Sequence, residues 1–462
     1  MERRSFLAGT TAGLTGLVGL TGCSGSGDAD STPTEPIPDP TPDSPALPEG
    51  FDEVVNVADR GADVSGDESV VPILESIDAD GSLIYFPPGM YRMDGSWVVD
   101  TFERFGVVGN EATIVPDPGL GVNLFRFDDR ERGVDLRVEG FTFDYTDPRT
   151  TGRMLHLKCR DGLLVRDVRA NGTVNERPDL VRVDVTDPEG EGLVHRLQLP
   201  DGASSGSNVT GCYVGNNSRG QLTFLNCRIE GFPDNGLYAD PPSGKIIVDG
   251  GYFANCGISN VRVRGNSIVR NAYVRCDGNH REFANMRGIR LTDYEPQDEP
   301  EPGIVENCRV DMLDVTHSDG AIELSSQLAR GIVRDTRVRV DADEVAAIRA
   351  KTPNALFADL EIEPSLHLEN VTIAGDAAGR EAVRISDREG CVFDQVDIHQ
   401  TGRDRDGIVF SRSSATVVRD VTIEVPGDAI VLNDSEMETG DVEIVDTEGQ
   451  QYGSRSEPHS PL

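Results

Sequence analysis

Apolar and polar residues alternate with period two along most of this chain, in short runs broken by turns. One kind of run places a small residue before apolar, variable, apolar, as in Gly288-Ile289-Arg290-Leu291, Ala321-Ile322-Glu323-Leu324 and Ala382-Val383-Arg384-Ile385. A second kind opens on Asp, Asn or Gly, as in Asn226-Cys227-Arg228-Ile229, Asn307-Cys308-Arg309-Val310, Asp335-Thr336-Arg337-Val338, Asn370-Val371-Thr372-Ile373 and Asp420-Val421-Thr422-Ile423. Alternation of this sort gives a strand one buried and one solvent face. The two runs recur together at a spacing of about 20–30 residues, which is the mark of stacked supersecondary units. The chain therefore reads as all-β and as one solenoid, although 462 residues would fill more than one average domain. The consensus leucines of leucine-rich repeats are missing, and propeller blades of about 40–45 residues are too long.

Residues 171–207 break the rhythm. They lie between two coils, are about a coil longer than expected, contain strand-like Leu180–Val185 and His195–Leu199, and read as an insertion, a hairpin flap at one edge. The acidic stretch Tyr294–Gly303 reads as a shorter loop. Long loops on a rigid scaffold often border a site.

Asn56-Val57-Ala58-Asp59-Arg60-Gly61-Ala62 and Tyr85-Phe86-Pro87-Pro88-Gly89-Met90-Tyr91 are the most specific motifs. Together they resemble the entry of the pectate-lyase-like superfamily. That resemblance implies a right-handed parallel β-helix with a short N-terminal capping helix, here over Val70–Ile77. The family's acidic segment between these motifs is degraded to Ser65-Gly66-Asp67-Glu68-Ser69.

The leader carries Arg3-Arg4-Ser5-Phe6-Leu7, similar to a twin-arginine export signal, then Leu20-Thr21-Gly22-Cys23, similar to a lipobox. The apolar run between them is too short and glycine-rich for a membrane span. The expected layout is a leader over 1–23, a disordered acidic Pro/Ser/Thr tether over 24–50, an entry and cap over 51–100, the β-helix over 101–446 and a frayed tail over 447–462. Cys23 would then carry a lipid anchor and hold a monomer on the outer face of the membrane.

Net charge is −37, and only Lys158, Lys245 and Lys351 are lysines. Such a surface suits a halophilic protein, of the kind found among haloarchaeal-type exported lipoproteins, and excludes the basic footprint that nucleic acid demands. Cys212, Cys227, Cys256 and Cys308 fall on strand runs without metal-like spacing and read as small core residues.

Aligning the first runs gives an outward column: Arg126, His156, Tyr213, Tyr238, Arg262, Arg290, Glu323, Arg349, Arg384, Val409, Val431. The next outward position gives Asp128, Lys158, Gly215, Asp240, Arg264, Thr292, Ser325, Lys351, Ser386, Ser411, Asn433. In-register parallel strands set such neighbours about 4.8 Å apart. Cations gathered on one face of an acidic chain, beside tyrosines, suggest a groove for an acidic polysaccharide, with guanidinium groups on uronate carboxylates and rings on sugar faces. Tyr213, Tyr238, Arg349, Arg384, Glu323 and His156 are the candidate binding residues.

β-Elimination needs a base for the proton beside a carboxylate and a cation to neutralise that carboxylate. The resemblance implies an Arg or Lys base, often with Ca²⁺ held by carboxylates. Arg262, Arg290, Arg264 and Lys158 are the candidate catalytic residues, and Asp240 and Asp293 the candidate Ca²⁺ ligands. A polysaccharide lyase is the leading expectation, and a non-catalytic carbohydrate-binding or structural module is its rival. A glycoside hydrolase ranks third, since Ser318-Asp319-Gly320 and Gly427-Asp428-Ala429 only faintly echo hydrolase signatures and no other is intact.

Overall fold

A computed structural model describes residues 47–175, 179–278 and 282–445. The leader motif, Cys23, most of the tether and the tail lie outside the described residues. The described chain winds as a parallel β-helix. A 13-stranded sheet runs from Trp97–Val99 to Ile430–Asn433, one strand per coil, and a 21-stranded sheet takes the remaining strands. Successive coils pair in parallel register, for example Val261 with Ile289 and Ile289 with Ile322.

The recurring Asx residue has a structural cause. In the larger sheet each coil turns a corner, either inside one bent strand such as Arg330–Val340 or between two short ones such as Gln221–Leu225 and Arg228–Glu230. The corner residue takes a left-handed conformation, with φ of 51° at Asn226, 48° at Asn307, 50° at Asp335, 52° at Asn370 and 49° at Asp420. Asn and Asp tolerate this region better than other non-glycine residues. Their side chains also join coil to coil: Asn307 Nδ2 donates to Asn271 Oδ1 at 2.8 Å, and Asn370 Nδ2 donates to Asp335 Oδ1 at 2.7 Å.

The expected insertion over 171–207 is a full coil instead. Asp179–Val185 sits in the 13-stranded sheet between Arg153–Cys159 and Thr210–Val214, with Arg182 opposite His156 and Tyr213. Glu191–Leu199 occupies the larger sheet between its neighbours there. Its corner residue is Arg196, at φ 53°, so the Asx mark is missing while the winding continues. Arg196 is tied to Asp167, the preceding corner, by Nη2–Oδ2 contact at 2.6 Å.

The core changes character along the axis. Near the entry it is aromatic: Trp97 meets Phe105, Phe125 and Phe127 edge-on at 5.6, 5.5 and 5.0 Å. Later coils are filled mainly by Val, Leu, Ile, Ala and Cys with scattered phenylalanines such as Phe224, Phe253 and Phe393, and the described cysteines are buried and free, as small apolar fillers. The short helix Val71–Glu75 buries Val71 and Leu74 and packs beside Trp97–Val99, the edge strand of the 13-stranded sheet. Covering an edge in this way removes a template for unwanted strand pairing.

Candidate functional site

The outward column of the 13-stranded sheet is in register throughout: Arg126–His156–Arg182–Tyr213–Tyr238–Arg262–Arg290–Glu323–Arg349–Arg384–Val409–Val431. Arg182 is the member that sequence reasoning missed, because its coil lacks the Asx mark. The central part of the line forms a stack of cations and rings. Arg182 Cζ lies 5.2 Å from the centre of the Tyr213 ring, Tyr213 and Tyr238 meet edge-on at 5.2 Å, and Arg262 Cζ lies 4.2 Å from the centre of Tyr238. Both rings are half-buried, and burial raises both phenol pKa values. Gly215 makes room for the first cation, since a Cβ there would collide with Arg182 Nη2 and Asp184 Oδ1.

Arg262 and Arg290 stand on adjacent rungs with side chains 18% and 21% exposed. Each has a carboxylate beside it: Arg262 Nη2 lies 2.6 Å from Asp240 Oδ2, and Arg290 Nε lies 3.2 Å from Glu323 Oε1. Burial lowers the Arg290 pKa, Glu323 opposes that shift, and Arg262 and Arg287 add to it. Of the expected catalytic set, these two reach solvent.

Lys158 and Arg264 do not. Their side chains are 8% and 10% exposed. Both lie where a strand ends and the following loop closes over it; Arg264 Nη1, for example, donates to the Gly244 carbonyl at 3.0 Å. Lys158 is held between Asp128 and Asp184 at 3.7 and 3.6 Å, and burial lowers its pKa. Glu323 is fully buried, not presented to a ligand, and neutralises Arg287, Arg290 and Lys351. His156 is wedged between Arg153 Nη1 at 2.8 Å and Asp128 Oδ2 at 3.6 Å, and burial lowers its pKa.

The expected Ca²⁺ ligands do not fit the ion. Asp240 is neutralised by Arg262; Asp293 accepts from the Gly265 N–H at 3.1 Å and faces Arg264 at 3.7 Å. Among the described residues no group of three or more ligating side chains converges. Burial raises the Asp293 pKa to about 7 against the pull of Arg264.

Asp319, the faint echo of a hydrolase carboxylate, is a hub of ion pairs. Arg287 Nη2, Arg349 Nη1 and Lys351 Nζ reach it at 2.7, 2.6 and 2.7 Å, and Asn285 Nδ2 donates at 2.8 Å. Burial raises its pKa, but the donors from Lys351, Asn285 and Arg287 outweigh that and hold the carboxyl well below the usual range. A group so held is no general acid. Beyond it, Ser326, Arg349, Lys351, Thr352, Arg384, Ser386, Ser411 and Arg412 line a hollow of about 440 Å³.

No protein-family model matches the chain, and no curated protein matches it in sequence. Solved structures similar to it include the A-module of a mannuronan C-5 epimerase from Azotobacter vinelandii, at 12% identity and TM-score 0.43 over 88% of this chain and 100% of that one. PfbA, a surface adhesin of Streptococcus pneumoniae, is similar at 12% identity and TM-score 0.44 over 85% and 93% of the two chains. The Agl-KA catalytic domain is similar at 15% identity and TM-score 0.40 over 87% and 66%. At these identities and scores nothing about this chain's chemistry follows from them.

Proposed function

We propose that this chain is an exported, carbohydrate-active protein that receives an acidic polysaccharide along its 13-stranded sheet and cleaves it by β-elimination. The observation that carries this is the in-register line Arg182–Tyr213–Tyr238–Arg262–Arg290, with guanidinium groups against tyrosine rings on one face of a strongly acidic chain. Tyrosine faces take sugar rings, and planar guanidinium groups take carboxylates. In this reading Arg262 holds the uronate carboxylate, and Arg290, whose pKa burial lowers, removes the adjacent proton. The C–O bond β to the carboxylate then breaks, the ring becomes unsaturated, and the departing oxygen takes a proton from solvent.

The test is incubation of the full chain with a panel of uronate polymers, with and without Ca²⁺, while the ultraviolet absorbance of the unsaturated product is followed. Turnover that disappears in the R262A/R290A double variant supports the proposal; turnover unchanged in that variant removes both residues from it. One observation favours a second reading, a non-catalytic binding module: Arg262 and Arg290 each already have a carboxylate partner. Polymer binding without any product absorbance would select that module. Anchoring at Cys23 belongs to the same proposal. Mass spectrometry of the mature N-terminus should find a lipidated cysteine there, and an unmodified Cys23 would refute the anchor.

A further inference from the structure

The hollow at the C-terminal end of the face differs from the stretch around Tyr238. Its lining holds four cations and four hydroxyl groups and no carboxylate. The counter-ions stand outside it: Asp319 and Glu323 behind Arg349 and Lys351, Glu381 beside Arg384 and Asp387 beside Arg412. Ser386 and Ser411 are opposite each other on adjacent rungs, and the column beside them passes from Arg384 to Val409, leaving space above.

Two buried groups point to an anion. Ser411 is 3% exposed, lines the hollow, and among the described residues its Oγ has no hydrogen-bond partner. A buried hydroxyl left unmet is costly, and a ligand oxygen would meet it. Arg388 is fully buried, and among the described residues no carboxylate pairs with it. The left-handed turn at Asp387, φ 53°, separates Ser386 in the lining from Arg388 beneath it. The Arg388 guanidinium donates to the carbonyls of Lys351, Ser325, Leu328 and Ala329 at 3.0, 3.0, 3.2 and 2.8 Å. An uncompensated charge thus lies under the backbone that carries Lys351 and adjoins Ser326, and it adds positive potential to the hollow.

We propose that this hollow is a subsite for a tetrahedral oxoanion carried on a sugar, a sulfate half-ester, held by Arg349, Lys351, Arg384, Arg412, Ser386 and Ser411. A carboxylate offers two oxygens in one plane. Here the donors come from three successive rungs, and a half-ester presents three terminal oxygens in three directions. The inference rests on the proposed function and narrows it: the polymer is a sulfated polyuronate, its carboxylate at Arg262 and Arg290 and its sulfate about 15–20 Å further along the sheet.

Calorimetry on the full chain at fixed ionic strength tests this with three probes: inorganic sulfate, galactose 6-sulfate and galacturonate. The sugar sulfate should bind at least tenfold tighter than galacturonate, and S411A and R384Q should each weaken it about tenfold. The S411A melting temperature should not fall, because Oγ bonds to nothing among the described residues, so lost binding is not lost folding. Galacturonate binding that is as tight as the sugar sulfate's and equally weakened by S411A, or sugar-sulfate binding unaffected by S411A, overturns the subsite. Inorganic sulfate bound while the sugar sulfate is rejected overturns the sugar as its source. Failure of the broader proposal looks different: unsulfated polyuronate does not bind at all, in wild type or Y238A, while galactose 6-sulfate still does.

Discussion

Glu323 shows how much of this face is built from charge rather than apolar packing. It is fully buried against Arg287, Arg290 and Lys351, at 2.5, 3.2 and 2.9 Å. Breaking a buried ion pair by removing one partner costs about 3–5 kcal/mol, because the other charge stays buried. E323Q should therefore lose stability of that order in denaturant unfolding, whereas Y238A, at a half-buried position, should lose much less. Asp293 sets a pH dependence. Its pKa in the fold is about 7, above its ordinary 3.8, so the folded chain binds the extra proton between those values. The contribution of Asp293 to stability should fall as pH rises from about 4 to about 7 and then level off, by an amount on the order of a few kcal/mol, while His195 and His156, whose pKa values burial lowers, contribute with the opposite sign over the same window. The stability difference between wild type and D293N should therefore change across this window, with D293N gaining on wild type as pH rises; a difference that stays constant from pH 4 to 7 would contradict the assignment. The residue types on the outward line were legible, since period two alone places Arg262, Arg290 and Arg349 together. Their partners were not. Asp240, Glu323 and Asp319 reach the cations across coils, more than 20 positions away in sequence, and no local pattern records such pairs.

At the scale of the element, the corner decides what can be read. Asn307 sits at φ 48° and bonds to Asn271 below it. N307V should cost about 1–3 kcal/mol, as a β-branched residue forced into the left-handed region, while N307G should cost less; melting temperatures of the two variants compare them directly. An equal loss in both would shift the cause from backbone strain to the missing side-chain ladder. The same corner explains the misread coil. Where Asn or Asp fills it the repeat is visible, and where Arg196 fills it the strands Asp179–Val185 and Glu191–Leu199 lose their flag. Their alternation was present, but a short apolar run without its turn signal cannot be assigned to a coil. Lys158 and Arg264 in the second outward column differ from expectation for a related reason. Strand period gives the side on which a residue lies, not whether the next loop covers it, so Lys158 and Arg264 looked open and are enclosed.

For the whole molecule, the net charge of −37 bears on stability. Like charges at this density oppose the compact state, and salt weakens that opposition within a Debye length of about 3 Å at 1 M, against about 10 Å at 0.1 M. The melting temperature should climb steadily with KCl from 0.1 to 2 M, and a curve independent of salt would show that the ion pairs already balance the surface. Parallel stacking has one further outcome. Because each strand of the 13-stranded sheet meets its neighbours residue for residue, a coil behaves as an interchangeable tread on a staircase. Excising Arg182 through Cys212 would set Tyr213 directly against His156 and shorten the flight by one step without re-aiming any side chain above it. The length of the line of cations and rings would thus be adjustable by genetic loss or duplication of single treads.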